Sequence, residues 1–200
     1  MRRVIFEVGL VIFLALASCV AVVQPKPLSQ VHDIAVINLT ISKTIVGQTY
    51  VAYINVTVEN QGDFSESFNV SVFANSTLLI GSNEVILQNG SSTLKTITWD
   101  TSSFNLGNYE VSAYVEPIPG EVDIEDNSLI GPLVTVSIPG DMDRDFDVDI
   151  FDIIRLCRPP CWIPEGCPPP PPELDIDSDG DLDIFDIVIA CMHYGEKYTP

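Results

Sequence analysis

Val51-Ala-Tyr-Ile-Asn-Val-Thr-Val58 is rich in β-branched residues and changes character from one position to the next. Alternate side chains of a strand point to opposite faces, so Asn55 and Thr57 share one face and Val56 and Val58 the other. Asn55 also opens an Asn-Val-Thr glycosylation acceptor; a glycan there would make its face the solvent face and put Val56 and Val58 in the core. The same period spreads outward from Asp33 to Ile138, through Ile34, Val36 and Leu39, Phe68 to Phe73, Leu94 to Trp99, Tyr109 to Val115, and Val134 to Ile138. Asn60-Gln-Gly62, Gln88-Asn-Gly90 and Leu106-Gly-Asn108 punctuate these runs as turns, and no long window between them has helical periodicity. The pattern predicts about seven or eight short strands folded as a two-sheet β-sandwich over residues 31–138. Trp99 is expected in its core.

That region has no cysteine, so its core alone must hold it together. It carries acceptor triplets at Asn38, Asn55, Asn69, Asn75 and Asn89, which predicts a glycoprotein in a host that glycosylates. Upstream, Arg2 and Arg3 precede an apolar stretch from Val8 to Val23 that Gln24-Pro-Lys-Pro27 stops abruptly. Residues 1–24 therefore read as a secretory signal peptide or N-terminal anchor, too short for a comfortable membrane span. Leu16-Ala-Ser-Cys19 also fits a lipoprotein processing box with a lipid on Cys19, and cleavage near Ala21 remains open beside it. All three routes predict an extracellular or cell-surface protein, touching membrane only through this segment. Residues 25–139 carry 12 acids against 3 bases and residues 140–200 carry 15 against 4, which argues against nucleic acid and anionic membrane as partners.

Particular stretches of the β-rich region carry a resemblance: His32-Asp-Ile-Ala-Val36, Val56-Thr-Val-Glu-Asn-Gln-Gly62, Thr96-Ile-Thr-Trp99, Gly107-Asn-Tyr-Glu-Val111 and Pro117-Ile-Pro-Gly-Glu-Val-Asp-Ile-Glu-Asp-Asn127. Together they resemble the CARDB family, the adhesion-related immunoglobulin-like modules of bacterial and archaeal surface proteins. The resemblance implies an immunoglobulin-like β-sandwich that serves as a spacer or in cell adhesion, with no catalytic residues. Glu121, Asp123, Glu125 and Asp126 read either as a cation-binding loop or as a solvated acidic turn.

Downstream, Asp141-Met-Asp-Arg-Asp-Phe-Asp-Val-Asp-Ile-Phe-Asp152 recurs as Asp175-Ile-Asp-Ser-Asp-Gly-Asp-Leu-Asp-Ile-Phe-Asp186, and 10 of 17 aligned positions are identical through Cys157 and Cys191. Oxygen donors at loop positions 1, 3, 5, 7, 9 and 12 are how a short segment wraps a hard cation, so two Ca²⁺ sites are expected. The candidate ligands are Asp141, Asp143, Asp145, Asp147, Asp149 and Asp152 in the loop 141–152, and Asp175, Asp177, Asp179, Asp181, Asp183 and Asp186 in the loop 175–186. Asp181 is expected to offer its backbone carbonyl. Gly180 suits the tight turn at position 6, whereas Phe146 there predicts a weaker or distorted first site.

The duplicated loops, the Pro139-Gly140 lead-in and the Asp at position 12 resemble a type I dockerin, so that residues 139–200 form a small α-helical, duplicated calcium-loop module. The resemblance implies a cohesin-like partner gripped by the helices after the loops. Positions 10 and 11 are Ile150-Phe151 and Ile184-Phe185, where cellulosomal dockerins commonly carry hydroxyl residues; an apolar pair facing the module's own core and a different surface partner both fit. Cys157 and Cys191 hold equivalent positions, and Cys161 and Cys167 lie in the Pro-rich connector. In an exported chain these predict two disulfides, with 157–191 plus 161–167 favoured among three pairings and a zinc site as the alternative. The stretch Pro168 to Pro172 reads as a stiff spacer.

No Gly-x-Ser-x-Gly, His-Glu-x-x-His or phosphate-loop pattern is present, and the only histidines are His32 and His193. The expectation is a non-catalytic protein that binds calcium and attaches to another surface protein through its tail. A structural spacer without a protein partner, and an accessory module for polysaccharide, are the alternatives.

Overall fold

The computed structural model describes residues 30–157 and 171–199. The leader with Cys19, the connector cysteines Cys161 and Cys167, and most of the polyproline stretch lie outside the described residues.

Eight strands form the β-rich region: β1 (Ile34–Ile41), β2 (Ile45–Gly47), β3 (Val51–Asn60), β4 (Glu66–Ala74), β5 (Leu78–Leu87), β6 (Ser92–Asp100), β7 (Gly107–Val115) and β8 (Ser128–Ser137). They make a three-stranded sheet in the order β1-β3-β6 and a five-stranded sheet in the order β2-β8-β7-β4-β5. All pairs are antiparallel except β2 with β8. The fold is a mainly-β, immunoglobulin-like sandwich followed by a small two-helix module. Val56 and Val58 are fully buried while Asn55 and Thr57 lie half-buried on the other face, where Thr96 Oγ1 donates to Asn55 Oδ1 at 2.7 Å. Asn38, Asn69, Asn75 and Asn89 are exposed.

Trp99 is completely buried and meets Phe104 and Tyr109 edge-to-face, at centroid distances of 5.2 and 5.9 Å. Such contacts add about 0.5–1.5 kcal/mol each beyond simple burial. Two strands escape the sequence pattern. β2 has only three residues, and β5 is an edge strand whose Leu78, Leu79 and Ile86 face solvent while Val85 and Leu87 reach the core.

After β8 the chain enters the two helices, α1 (Ile150–Cys157) and α2 (Ile184–Met192). Met142, Leu156, Leu174, Ile176 and Ala190 form their shared core, and Tyr50 of the sandwich packs against it. Gly140, at φ 104°, passes so close to α2 that a Cβ would lie 2.7 Å from Ala190 Cα; only glycine fits there.

The favoured 157–191 disulfide is not formed. Leu156 and Ala190, one residue earlier in each copy, turn inward and are fully buried, while Cys157 and Cys191 are exposed and Cys191 is a free thiol. One residue is a rotation of about 100° around a helix, enough to carry a side chain off the contact face. The expectation that all four tail cysteines are paired therefore fails at Cys191.

Candidate metal centre

Each acidic loop ends in a carboxylate that ties the loop's start to its helix. Asp152 accepts the Met142 N–H at 2.7 Å through Oδ1 and the Asp149 N–H at 2.8 Å through Oδ2. Asp186 repeats this with Ile176 at 2.6 Å and Asp183 at 2.8 Å. Both carboxylates are buried. Asp183 caps α2 by accepting the Phe185 N–H at 2.6 Å, and with Asp186 it forms a capping box. Asp149 makes the matching bond to Phe151 at 2.7 Å. Sequence reasoning assigned these acids to metal, with the helix dipole favouring the charge of two of them, and gave them no capping bonds. The signal for the second role was present, since an acid three residues after a capping residue, before an apolar run, is a helix-start signature.

The folded loops gather some of the expected ligands. Asp141, Asp143 and Asp152 each bring one oxygen within 4.8 Å of the others, and so do Asp175, Asp177 and Asp186. Asp147, Asp149 and Asp152 make a third such group. Asp145, Asp179, Asp181 and Asp183 stand outside these groups; Asp145 and Asp179 instead accept the N–H two residues on, at 3.0 and 3.1 Å. Burial pushes the carboxyls of Asp152 and Asp186 up, against the opposing pull of their backbone donors. Asp143 and Asp177 are raised first by burial, with neighbouring carboxylates adding to it, and Asp181 first by the charge of Asp179. Crowded oxygens that resist losing their protons are what a bound cation would relieve.

Position 6 is left-handed in both copies, Phe146 at φ 65° and Gly180 at φ 102°. Position 4 is left-handed too, with Arg144 at φ 69° and Ser178 at φ 65°, which no residue type there announced. The Phe146 carbonyl accepts the Tyr198 N–H at 2.8 Å, and the two rings lie 6.1 Å apart.

The sandwich holds the second loop. Lys43 is buried and donates to the carbonyls of Asp175 and, at 3.4 Å, Ile176, while Ser178 Oγ donates to the Val51 carbonyl at 3.0 Å. Burial lowers the Lys43 pKa, opposed by the charges of Asp175, Asp186 and Asp177. Thr44 Oγ1 bonds Glu173 at 3.0 Å and receives Arg144 Nη2 at 2.6 Å, reaching toward both loops. Nothing in the local sequence marked Lys43 or Thr44.

The apolar pairs face outward. Phe151 is 64% exposed and Phe185 60%, and Ile150 and Ile184 are exposed beside them. A pair facing the module's own core is thereby excluded. Of the two histidines, His32 pairs with Glu66 at 2.6 Å and His193 with Glu196 at 3.1 Å. Among the described residues no helix is long and apolar enough to cross a membrane.

A CARDB family model matches residues 32–123, so the N-terminal sandwich is a CARDB-like, immunoglobulin-fold domain. Among solved structures, the CARDB domain of a Pyrococcus furiosus protein in complex with di-metal ions is 23% identical, with 55% of this chain and 97% of that one covered and a TM-score of 0.47. A solution structure of one domain of a Methanosarcina acetivorans protein is 26% identical over 53% of this chain and 92% of that one, with a TM-score of 0.42. A β-glucosidase from Erythrobacter marinus is 13% identical over 52% of this chain and 15% of that one, also at 0.42. No curated protein matches the chain. The chain is thus modular, a CARDB-like sandwich followed by two helices with acidic clusters beside them.

Proposed function

We propose that residues 139–200 form a calcium-dependent docking module that holds the chain to another extracellular or cell-surface protein, with the sandwich as its spacer. The observation that carries this is the exposure of Phe151 and Phe185 at the two helix starts, each one residue before the buried acid of its loop. Large exposed apolar side chains in paired positions are a binding surface in waiting. The acid loops fit a hard cation. Asp147 Oδ1 and Asp175 Oδ1 are buried without a hydrogen-bond partner, and the side chains gathered with each in its group are carboxylates.

Asp141, Asp143 and Asp152, with Asp147 and Asp149, would hold Ca²⁺ in the first loop; Asp175, Asp177 and Asp186 would hold it in the second. Asp145, Asp179, Asp183 and the Asp181 carbonyl complete the twelve-position scheme. Bound calcium supplies positive charge where the carboxylates crowd. The chain's own contribution is to tie each loop to its helix through Asp152 and Asp186, which fixes where the Ile-Phe pairs stand. The partner is cohesin-like in its mode of grip, through a surface apolar enough to cover two phenylalanines.

The test is capture of a host envelope protein on the immobilised chain. Capture is expected with calcium, lost on adding chelator, and lost in Phe151→Asp/Phe185→Asp with helical content unchanged. Capture indifferent to both would sink the docking role. Calcium-dependent helices with no captured protein would favour the spacer.

A further inference from the structure

At the end of the sandwich where β1 begins, residues 126–127 run between two strands. The Val36 N–H donates to the Asp126 carbonyl at 2.8 Å, and the Val115 N–H to the Asn127 carbonyl at 2.9 Å. Glu121 is already committed there. Its Oε1 accepts the Ile34 N–H at 2.8 Å, and its Oε2 accepts the Ile118 N–H at 2.8 Å and Asn127 Nδ2 at 3.1 Å. Three other oxygens have no donor: Asp33 Oδ1, Asp126 Oδ1 and Asn127 Oδ1 are all buried and unpartnered. Asn127 is only 1% exposed, so bulk water does not serve its carbonyl. Its orientation is fixed, because flipping the amide would set that carbonyl against the Glu121 carboxylate. With Nδ2 on Glu121, Oδ1 is the end of the amide left without a donor, one residue from Asp126.

The geometry points to a third cation site, held by Asp33, Asp126 and Asn127 and selective for a hard, oxygen-seeking divalent ion of the Ca²⁺ kind. Buried acceptors without donors are rare in folded proteins and call for a specific partner, and one ion satisfies several at once. The charges agree. Burial first and the Asp126 charge next push the Asp33 carboxyl up, while burial and then the Asp123 charge raise Asp126. The site shares no residue with the tail loops. Its membership also differs from the acidic run in the sequence: Glu121 is a backbone clamp and Glu125 is exposed, while Asp33 arrives from the far end of the domain.

The experiment uses the full chain with both tail loops disabled by Asp152→Ala and Asp186→Ala, titrated with Ca²⁺ and, as a luminescent probe, Tb³⁺. One equivalent is expected to bind, and the Asn127 side-chain amide resonances should shift as it does. Adding Asp33→Asn and Asp126→Asn, whose amides offer donors to the orphaned oxygens, should weaken binding at least tenfold. Zero equivalents in the loop-disabled chain would overturn the site. So would an ion that leaves the Asn127 amide unmoved, or undiminished affinity in the asparagine variant. The resonance shift locates the ion without those substitutions, should they fail to fold.

Discussion

Phe146 and Gly180 stand at the same place in two copies of one loop, yet their surroundings differ. A Cβ on Gly180 would meet nothing within 4 Å, whereas Phe146 is covered by the segment 195–198. There the Gly195 N–H donates to the Val148 carbonyl at 2.8 Å, the Val148 N–H to Glu196 at 3.0 Å, and Lys197 pairs with Asp147 at 2.7 Å. The second loop instead leans on Lys43 and Val51 of the sandwich. Both copies touch the sandwich, the first through Arg144 on Thr44 and Ser137 on Asp141, but only the first is also braced by the tail's own later residues. Repeats that match at their acids can therefore diverge in what supports them. A left-handed phenylalanine is tolerated because tertiary contacts offset a local cost of about 1–2 kcal/mol.

The strongest way to break the comparison is to withhold the calcium that the proposed function assigns to both loops. Chelation is expected to abolish most of the helical circular dichroism of α1 and α2 while the near-ultraviolet signal of buried Trp99 persists. An unchanged helical signal at low salt would show that the loops fold without metal. Next come Asp152→Ala and Asp186→Ala, each removing a buried carboxylate from two backbone donors. At roughly 1.5–3 kcal/mol per charged bond, each should cost the module about 3–6 kcal/mol in urea melts. A marked inequality between them would mean that the shared tie of loop to helix is not equivalent in the two copies.

Lys43→Met sharpens the difference in support. It strips the donor from two carbonyls of the second loop and should destabilise that loop by about 1–3 kcal/mol. Hydrogen exchange should report the loss at 175–186 and not at 141–152; equal loss in both would make the module one cooperative unit. The smallest effects belong to position 6. Gly180→Ala should cost about 1 kcal/mol of calcium-bound stability through strain alone. Phe146→Gly should change first-loop affinity less than about threefold, because relief of strain is offset by loss of the Tyr198 ring contact, itself about 0.5–1.5 kcal/mol. A large gain there would show that strain, and not bracing, governs the first loop.

The sandwich was legible because burying one face of a strand imposes a period of two, which Val56, Val58 and Trp99 display. β5 was not, since an edge strand with Gly81-Ser-Asn-Glu84 at its centre has little apolar alternation to show. The acid loops were legible as a repeat. The bracing was not, because Lys43 meets Asp175 across most of the chain, and such a contact leaves no mark in either neighbourhood. The facing of Cys157, Phe151 and Phe185 depends on which stripe of a two-turn helix the core claims. Leu156 and Ala190 settled that stripe, and a one-residue misjudgement drew Cys191, a solvent thiol, into a disulfide with its counterpart.

The segment 195–198 also orders events in time. Asp147 pairs with a lysine 50 residues further on, with the whole second loop lying between them. Closing a flexible span of that length costs about 3–4 kcal/mol of chain entropy, whereas the Asp175–Asp186 loop closes locally. As the polypeptide emerges, the second copy can take its shape as soon as it clears the exit, and the first must wait for residues made after it. The earlier loop in the sequence is expected to be the later one to form.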